Sequence, residues 1–591
     1  MTCHIDCVPT DPRIRQADCD LLVVGSGAGG LSAATTAAWH GLRVMLVAKD
    51  QVCGGATAWS GGWAWVPLNP LSQAAGIIES LDGPRTYLKH VLGEQYDADR
   101  VEALLDAGRH MVSFFEQNTA LQFVSGTWIA DIQGHAPGAG TGGRSVGPKP
   151  VSGRALGDHL LDKLRPQLYE TSFLGLGIMA GPDLQAFLHA TRSPRAFAHV
   201  SWRVGFHAVD LVTRRRGMQL VNGCALIGRL LKSADDLGVE LHVSSPAKRL
   251  LTENGVVQGA VIDTPDGELR IRASRGTILA AGGFPADVSR RRELFPRTPT
   301  GQEHWTLAPR SCSGDGISLG QSAGGQLETA LASPAAWCPV SLVRYRSGRV
   351  GVYPHIVDRG KPGLIAVLPD GRRFVNEADG YYDFVAAMLQ AVPAGQEVFA
   401  WLICDHAFQR RYPFGMSKPF PVPVWPYLRS GYLRRGRTLD ELARKCGIDP
   451  TGLKRTVGQF NRHARNGEDP EFGRGSTAFN RGSGDPDHQP NPSLAPLTKP
   501  PFYAIKVLPG SFGTFAGLRT DAHARVLNSA DGPVPGLYAV GCDQASVMGG
   551  HYPSGGINIG PALTFGYIAA RHCAGVTDYE NPVPVPTSGG V

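Results

Sequence analysis

The run Asp20-Leu21-Leu22-Val23-Val24-Gly25-Ser26-Gly27-Ala28-Gly29-Gly30-Leu31 decides the reading of this chain. Its apolar start has the length of a buried strand. Gly25, Gly27 and Gly30 then fill a G-x-G-x-x-G pattern around Ala28 and Gly29, and the alanine-rich segment Leu31–Trp39 reads as a helix. Arg43–Ala48 (RVMLVA) reads as a second buried strand. Strand, glycine turn, helix and strand make the unit of a parallel sheet. The first glycine of such a turn permits its tightness, the second lets backbone approach a pyrophosphate, and the third lets helix and strand pack closely. The free N–H groups and positive dipole end of the helix suit phosphate. The pattern is weak alone and gains weight from standing between a strand and a helix. It predicts a dinucleotide site.

Composition agrees. The chain has 591 residues with 75 glycines and 44 prolines, 42% hydrophobic and 18% charged. Glycine stands well above its usual share of about 7%, yet the chain is too apolar for disorder. Net charge is +7, and no basic run exceeds Arg214–Arg216, so no nucleic-acid partner is expected. The 11 cysteines are scattered without a CxxC, which suits a reducing, cytoplasmic setting. Cys3, His4 and Cys7 read as a frayed terminus rather than a metal fragment. The 18 histidines show no ligand spacing, so no metal is expected. The N-terminus lacks the apolar stretch of a signal peptide, and no run is long enough to span a membrane. The apolar stretch Ser172–Ala180 reads as a buried lid. Its alternative is a surface touching a membrane or an apolar substrate, so peripheral membrane contact stays open.

Further along, residues 100–120 and 218–237 read as helices, and 132–154 as loop. A strand is expected at 239–243, an antiparallel pair at 256–263 and 268–273 around Asp266-Gly267, and a buried strand at Arg275–Ala281. Residues 285–500, with short strands and frequent Gly, Pro and aromatics, read as an inserted α+β catalytic domain. Residues 501–575 resume the buried-strand pattern with Gly536–Val540 and a helix from Ile559. The expected fold is α/β, with a Rossmann-like domain made of 18–284 and 501–575 around the insertion.

Other motifs extend the nucleotide site. In Gly54-Gly55-Ala56-Thr57-Ala58-Trp59-Ser60-Gly61-Gly62 the small residues and the hydroxyls of Thr57 and Ser60 can run along a pyrophosphate, a ribityl chain and a flavin edge. Lys49 and Asp50 follow the second strand, where an acid usually meets the ribose. Ala247, Ala281 and Gly282 join the set, and Gly541 and Asp543 are expected along the ribityl chain. In His551–Gly566, Gly556, Ile557 and Ile559 lead into a helix whose N-terminus can face the flavin N1/O2 edge. Together these point to FAD.

In this order, and with Gly282-Gly283-Phe284, Gly314-Asp315-Gly316, Asn376-Glu377 and Pro501-Phe502-Tyr503-Ala504, the motifs carry a resemblance. The chain resembles the flavoprotein family of succinate dehydrogenase and fumarate reductase, and within it the 3-ketosteroid dehydrogenases, over about residues 18–575. The resemblance implies that the Tyr552 hydroxyl and the Gly556 N–H hold a ketone oxygen, that Tyr381 is the base, and that flavin N5 takes the hydride. Two donors on a carbonyl stabilise the enolate formed as the α-proton leaves. A phenol titrates near 10, so the base needs help. The family's helper Tyr falls at Ile132 here; Tyr382, His135 and His551 are the candidates to replace it, and Trp128 would narrow the pocket.

The implied activity is FAD-dependent insertion of a double bond beside the carbonyl of a small hydrophobic cyclic ketone. A 3-oxosteroid (Δ1) is the first reading; a cyclohexanone-type ring or Δ4 chemistry is the alternative. Fumarate-type reduction is a rival, opposed by Tyr552-Pro553-Ser554 standing where the reductases place an Asn-Arg pair. A flavin carrier without turnover is another. Electron acceptor and oligomeric state stay open.

Overall fold

The computed structural model describes residues 15–576 and residue 578. The Cys3, His4, Cys7 grouping and the leader reading of the first residues lie outside them. Strand β1 (Arg15–Val24), helix α1 (Ala28–Trp39) and strand β2 (Val44–Val47) form the expected unit, with the two strands parallel. Ala28 through Ala37 are all buried. The helix is alanine-rich because it is closed in on several sides: the Ser32 hydroxyl donates to the Leu563 carbonyl at 2.6 Å on the helix Ile559–Ala574, and a side chain at Gly29 would press on Val540.

Around this unit stands an eight-stranded sheet in the order Arg525–Leu527, Pro533–Ala539, Gly267–Leu279, β1, β2, Glu240–His242. All neighbours from Pro533–Ala539 to Glu240–His242 are parallel. The strands expected at 268–273 and 275–281 are one continuous strand, Gly267–Leu279. Its first half pairs antiparallel with Val256–Thr264, and Leu269–Leu279 pairs parallel with β1 across one register shift. The second sheet is antiparallel along its path, in the order Val350–Pro354, Ala335–Arg344, Phe502–Thr514, Ala400–Cys404, Leu364–Val367. Phe502–Thr514 is thus central to the second sheet, and the first sheet resumes only at Arg525. The fold is α/β, a mainly parallel sheet carrying an inserted α+β part.

Two helices, Pro182–His189 and Pro194–Arg214, follow Ser172–Ala180 where the sequence reading proposed none. The long one presents Phe197, Trp202, Phe206 and Val212 to solvent, so it lacks the one-sided apolar stripe that marks a core helix. All nine described cysteines are free. No helix among the described residues is long and apolar enough to cross a membrane.

Candidate active site

The parallel strands release the chain at one edge, and their ends wall a single cavity of about 1450 Å³. Gly25–Gly29 follow β1, Lys49 and Asp50 follow β2, Ala281 and Gly282 follow Gly267–Leu279, and Gly541 follows Pro533–Ala539. Ligands of open α/β sheets bind at this edge. Gly25 has φ +117, and a Cβ there would overlap the Ala280 carbonyl, so only glycine closes the turn. Helix α1 starts at Gly27 with no side-chain cap and no acid in its first turn, and Ile559–Ala574 starts at Asn558 the same way. Both starts therefore leave N–H groups for an anion or a polar ring edge. A Cβ on Gly27, Gly55 or Gly541 would meet nothing nearer than 3.9 Å. Those glycines relieve no contact within the protein; they keep a trough open, which is the fit that a dinucleotide requires. Ala56, Thr57, Ser60, Gly61, Gly62, Ala247 and Ile559 line the same cavity.

Four residues expected at the cofactor stand behind this wall. Gly30 packs under the Gly25 carbonyl, Gly54 sits against Ala58 and Ile227, and Ile557 lies in the core. Asp543, expected to face the ribityl chain, instead accepts from the N–H groups of Ala281 (2.5 Å) and Gly283 (2.8 Å). Its carboxyl is consumed by fastening the last segment to the turn after Gly267–Leu279; burial raises its pKa to about 6. Lys49 and Asp50 line the cavity but are committed to protein partners. Lys49 Nζ donates to Ser313 Oγ (2.8 Å) and Asp315 (2.7 Å). Asp50 pairs with Arg165 and accepts from Ser311 Oγ at 2.6 Å.

At the other end of the cavity Tyr381 and Tyr552 meet edge to face, ring centroids 4.9 Å apart. Tyr381 begins the helix Tyr381–Ala391, and Phe512 also meets its ring edge to face, at 5.1 Å. The two phenols influence one another electrostatically, and Asn558 Nδ2 donates to the Tyr552 oxygen at 3.4 Å. Burial pushes both phenols above their ordinary range, Tyr381 furthest because the neighbouring Tyr552 adds to it. Gly556 lines the same wall at φ +98, and a Cβ there would collide with Trp63 and Trp65 backbone. Its carbonyl accepts from the N–H groups of Trp65 (3.1 Å) and Gly560 (2.8 Å). Among the described residues its own N–H has no backbone partner, which leaves it as a donor for a ligand.

Ile132, at the helper position, is buried (3% exposed), and its N–H donates to the Pro553 carbonyl at 2.9 Å. Its side chain packs against Gly380, the residue before Tyr381. The three candidate replacements are placed elsewhere. Tyr382 donates to the Gly550 carbonyl (3.0 Å), exposed His135 bonds Ser476 (3.0 Å), and His551 lies outside the cavity wall. Trp128 lines the cavity and meets Trp63 edge-on at 5.6 Å.

Several positioning groups escaped the sequence reading. The Tyr87 hydroxyl donates to the Pro553 carbonyl (2.6 Å) and accepts from Gln133 N–H (3.2 Å), pinning the Tyr552 loop to the Ile132 loop. Arg359 lines the same cavity as Tyr381 and donates to the carbonyls of His355 (2.7 Å), Glu377 (2.8 Å) and Asp379 (3.2 Å). Lys361 and Lys418 line the cavity. No sequence signal marks them, because a lone lysine in a loop reads as solvated. His189, Asp485 and Asp487 bring three ligand-type atoms within 4.8 Å, but Asp485 is held by Tyr412 and Arg411 (2.5 Å each).

Comparison with known proteins agrees with this geometry. The FAD binding domain family model matches residues 20–559. A 4-oxocyclohex-2-ene-1-carboxylate 5-dehydrogenase of Sinomonas cyclohexanicum is 42% identical over 559 residues, 94% of each chain. A 3-oxosteroid 1-dehydrogenase of Mycobacterium tuberculosis is 37% identical, over 94% of this chain and 98% of its own. The crystal structure of 3-ketosteroid Δ1-dehydrogenase from Sterolibacterium denitrificans with 1,4-androstadiene-3,17-dione superposes with a TM-score of 0.87 at 35% identity, covering 94% of this chain and 99% of that one.

Proposed function

The chain belongs to the FAD-binding-domain family, an FAD-dependent dehydrogenase of cyclic ketones, and from that premise we propose that Tyr381, Tyr552 and Gly556 carry out its desaturation beside the carbonyl. The observation that carries this reading is the Tyr381–Tyr552 pair, 4.9 Å between rings, in the cavity that also holds the glycine trough. The Tyr552 hydroxyl and the Gly556 N–H hold the ketone oxygen and stabilise the negative charge that develops there. Tyr381 accepts the α-proton. FAD, when bound, supplies the acceptor for the hydrogen and two electrons that leave the neighbouring carbon. Residues 18–284 and 501–575 serve the cofactor and 285–500 the substrate, with Phe502–Thr514 lending its strand to the substrate side.

We read the substrate as a single-ring ketone rather than a steroid. Trp63 and Trp128 stand in the cavity wall, and the Sinomonas relative is named for a cyclohexene ketone acid. The test is turnover of a cyclohexanone-type ketone against androst-4-ene-3,17-dione with an artificial electron acceptor. Tyr552→Phe should lower kcat by about 10²–10³ while FAD content holds; an unchanged rate would defeat the assignment. Faster turnover of the steroid would return the substrate to that class.

A further inference from the structure

Asp131 stands behind the cavity wall and touches none of the chemistry above, yet three segments that hold the ketone end converge on it. Resting on the reading of Tyr552 and Gly556 as the ketone's two donors, we propose that Asp131 is a positioning residue for the desaturation. Its carboxyl fixes where those two donors point. The chain between them, residues 553–556, is held through its carbonyls. The Pro553 carbonyl accepts from the Ile132 N–H (2.9 Å), the Gly555 carbonyl from Ser145 Oγ (3.0 Å), and the Gly556 carbonyl from the Trp65 N–H (3.1 Å). The bond at Gly555 bears directly on the chemistry. In a planar trans peptide the C=O and the next N–H lie in one plane and point in opposite directions. Ser145 Oγ on the Gly555 carbonyl therefore aims the Gly556 N–H. Two consecutive glycines do not hold such a plane by themselves.

Each of the three donors sits on a segment fastened to Asp131. Ile132 follows it in the chain. Trp65 donates its indole Nε1–H to Asp131 Oδ1 at 3.1 Å. Arg144, next to Ser145, donates Nη1 to Asp131 Oδ2 (2.5 Å), and the Gly140 N–H donates to the same oxygen (2.8 Å). Trp65 and Ser145 also face one another across an antiparallel strand pair. Asp131 is 1% exposed, and Trp65 and Ser145 are fully buried. A carboxyl away from water that accepts an indole, a backbone N–H and a guanidinium is a strong anchor, and losing it orphans all three donors. Arg144 keeps a second partner in Glu79, so replacing Asp131 leaves that guanidinium paired while the Trp65, Ile132 and Ser145 segments lose their common point.

The experiment uses the FAD-loaded enzyme, a cyclohexanone-type ketone for turnover, and a series of 4-substituted phenols of rising acidity as mimics of the enolate oxygen. Phenol binding is followed by the flavin absorbance. Wild-type affinity should rise with phenol acidity, because both donors answer negative charge on the oxygen. Asp131→Asn should lower kcat by about 10- to 100-fold with KM and FAD content little changed, the scale of a misaimed donor. It should also flatten the phenol series. Ser145→Ala, which removes one link and leaves the ion pair intact, should shift both readouts the same way by less. Its effect should shrink when added to Asp131→Asn, since the two act through the same peptide. Wild-type kcat in either variant overturns the proposal. So does a lowered kcat with the phenol series unaltered, the signature of a merely structural role. A wild type whose affinity ignores phenol acidity overturns the reading of Tyr552 and Gly556 itself, and the inference with it.

Discussion

In the proposed mechanism Tyr381 is the base, and its setting gives a pH signature. Burial, then the adjoining Tyr552, raises its pKa well above the phenol range. A base works deprotonated, so a raised pKa leaves little phenolate at neutral pH. The expected result is a kcat/KM that climbs about tenfold per pH unit through neutral and alkaline pH. A flat profile over that span would show that another group takes the proton. The glycine turns of this site were readable from their spacing: Gly25 and Gly556 stand where no other residue fits the backbone. The two tyrosines were singled out through the family resemblance. The protein partners of Asp50 and Asp543 were not readable, because spacing cannot tell which partner a carboxylate finds. Asp543 found two backbone N–H groups and Asp50 found Arg165 and Ser311.

At the scale of the element, the loop before Tyr381 is held by a buried ion network. Glu377 accepts from Arg373 Nε (2.8 Å) and Nη2 (2.7 Å), Arg474 Nη1 (3.0 Å) and the Ala366 N–H (3.0 Å). Burial alone would raise its pKa; the two guanidiniums overcome that and hold it at about 2. Glu377→Gln would leave Arg373 with Asp469 (2.8 Å) and the more distant Glu471 (3.7 Å), and Arg474 short of a counter-ion. The expected loss is about 3–5 kcal/mol, read as a clear fall in the thermal unfolding midpoint; a midpoint equal to wild type would mean the network contributes little. Asn376-Glu377 was visible as a motif, but its work was not, because Arg474 lies far along the chain. The β1–α1–β2 unit was readable from its periodicity and glycine punctuation. Pro182–His189 and Pro194–Arg214 were not, since a helix that covers a cavity on one side and shows Phe and Trp to solvent on the other has no clean stripe.

At the scale of the molecule, four strand ends and two uncapped helix starts converge on one cavity, so the cofactor joins parts that are remote in sequence. FAD that binds only the folded chain should stabilise it by about 2.7 kcal/mol at a hundredfold excess over Kd. The unfolding midpoint of stripped protein should therefore rise with added FAD, and a midpoint indifferent to FAD would detach the glycine trough from the cofactor. The two-part architecture was readable from the return of buried-strand pattern near the end of the chain. The crossing of Phe502–Thr514 into the second sheet was not, because a fully buried strand looks alike in either sheet.

The most direct test of the central claim is anaerobic mixing of the FAD-loaded enzyme with a cyclic ketone while flavin absorbance is followed. The wild type should bleach rapidly with a 4-oxocyclohexane-type ketone, and Tyr381→Phe, with equal FAD content, should bleach slower by about 10² or more. A wild type that no ketone bleaches, or a Tyr381→Phe that bleaches at the wild-type rate, would contradict the account.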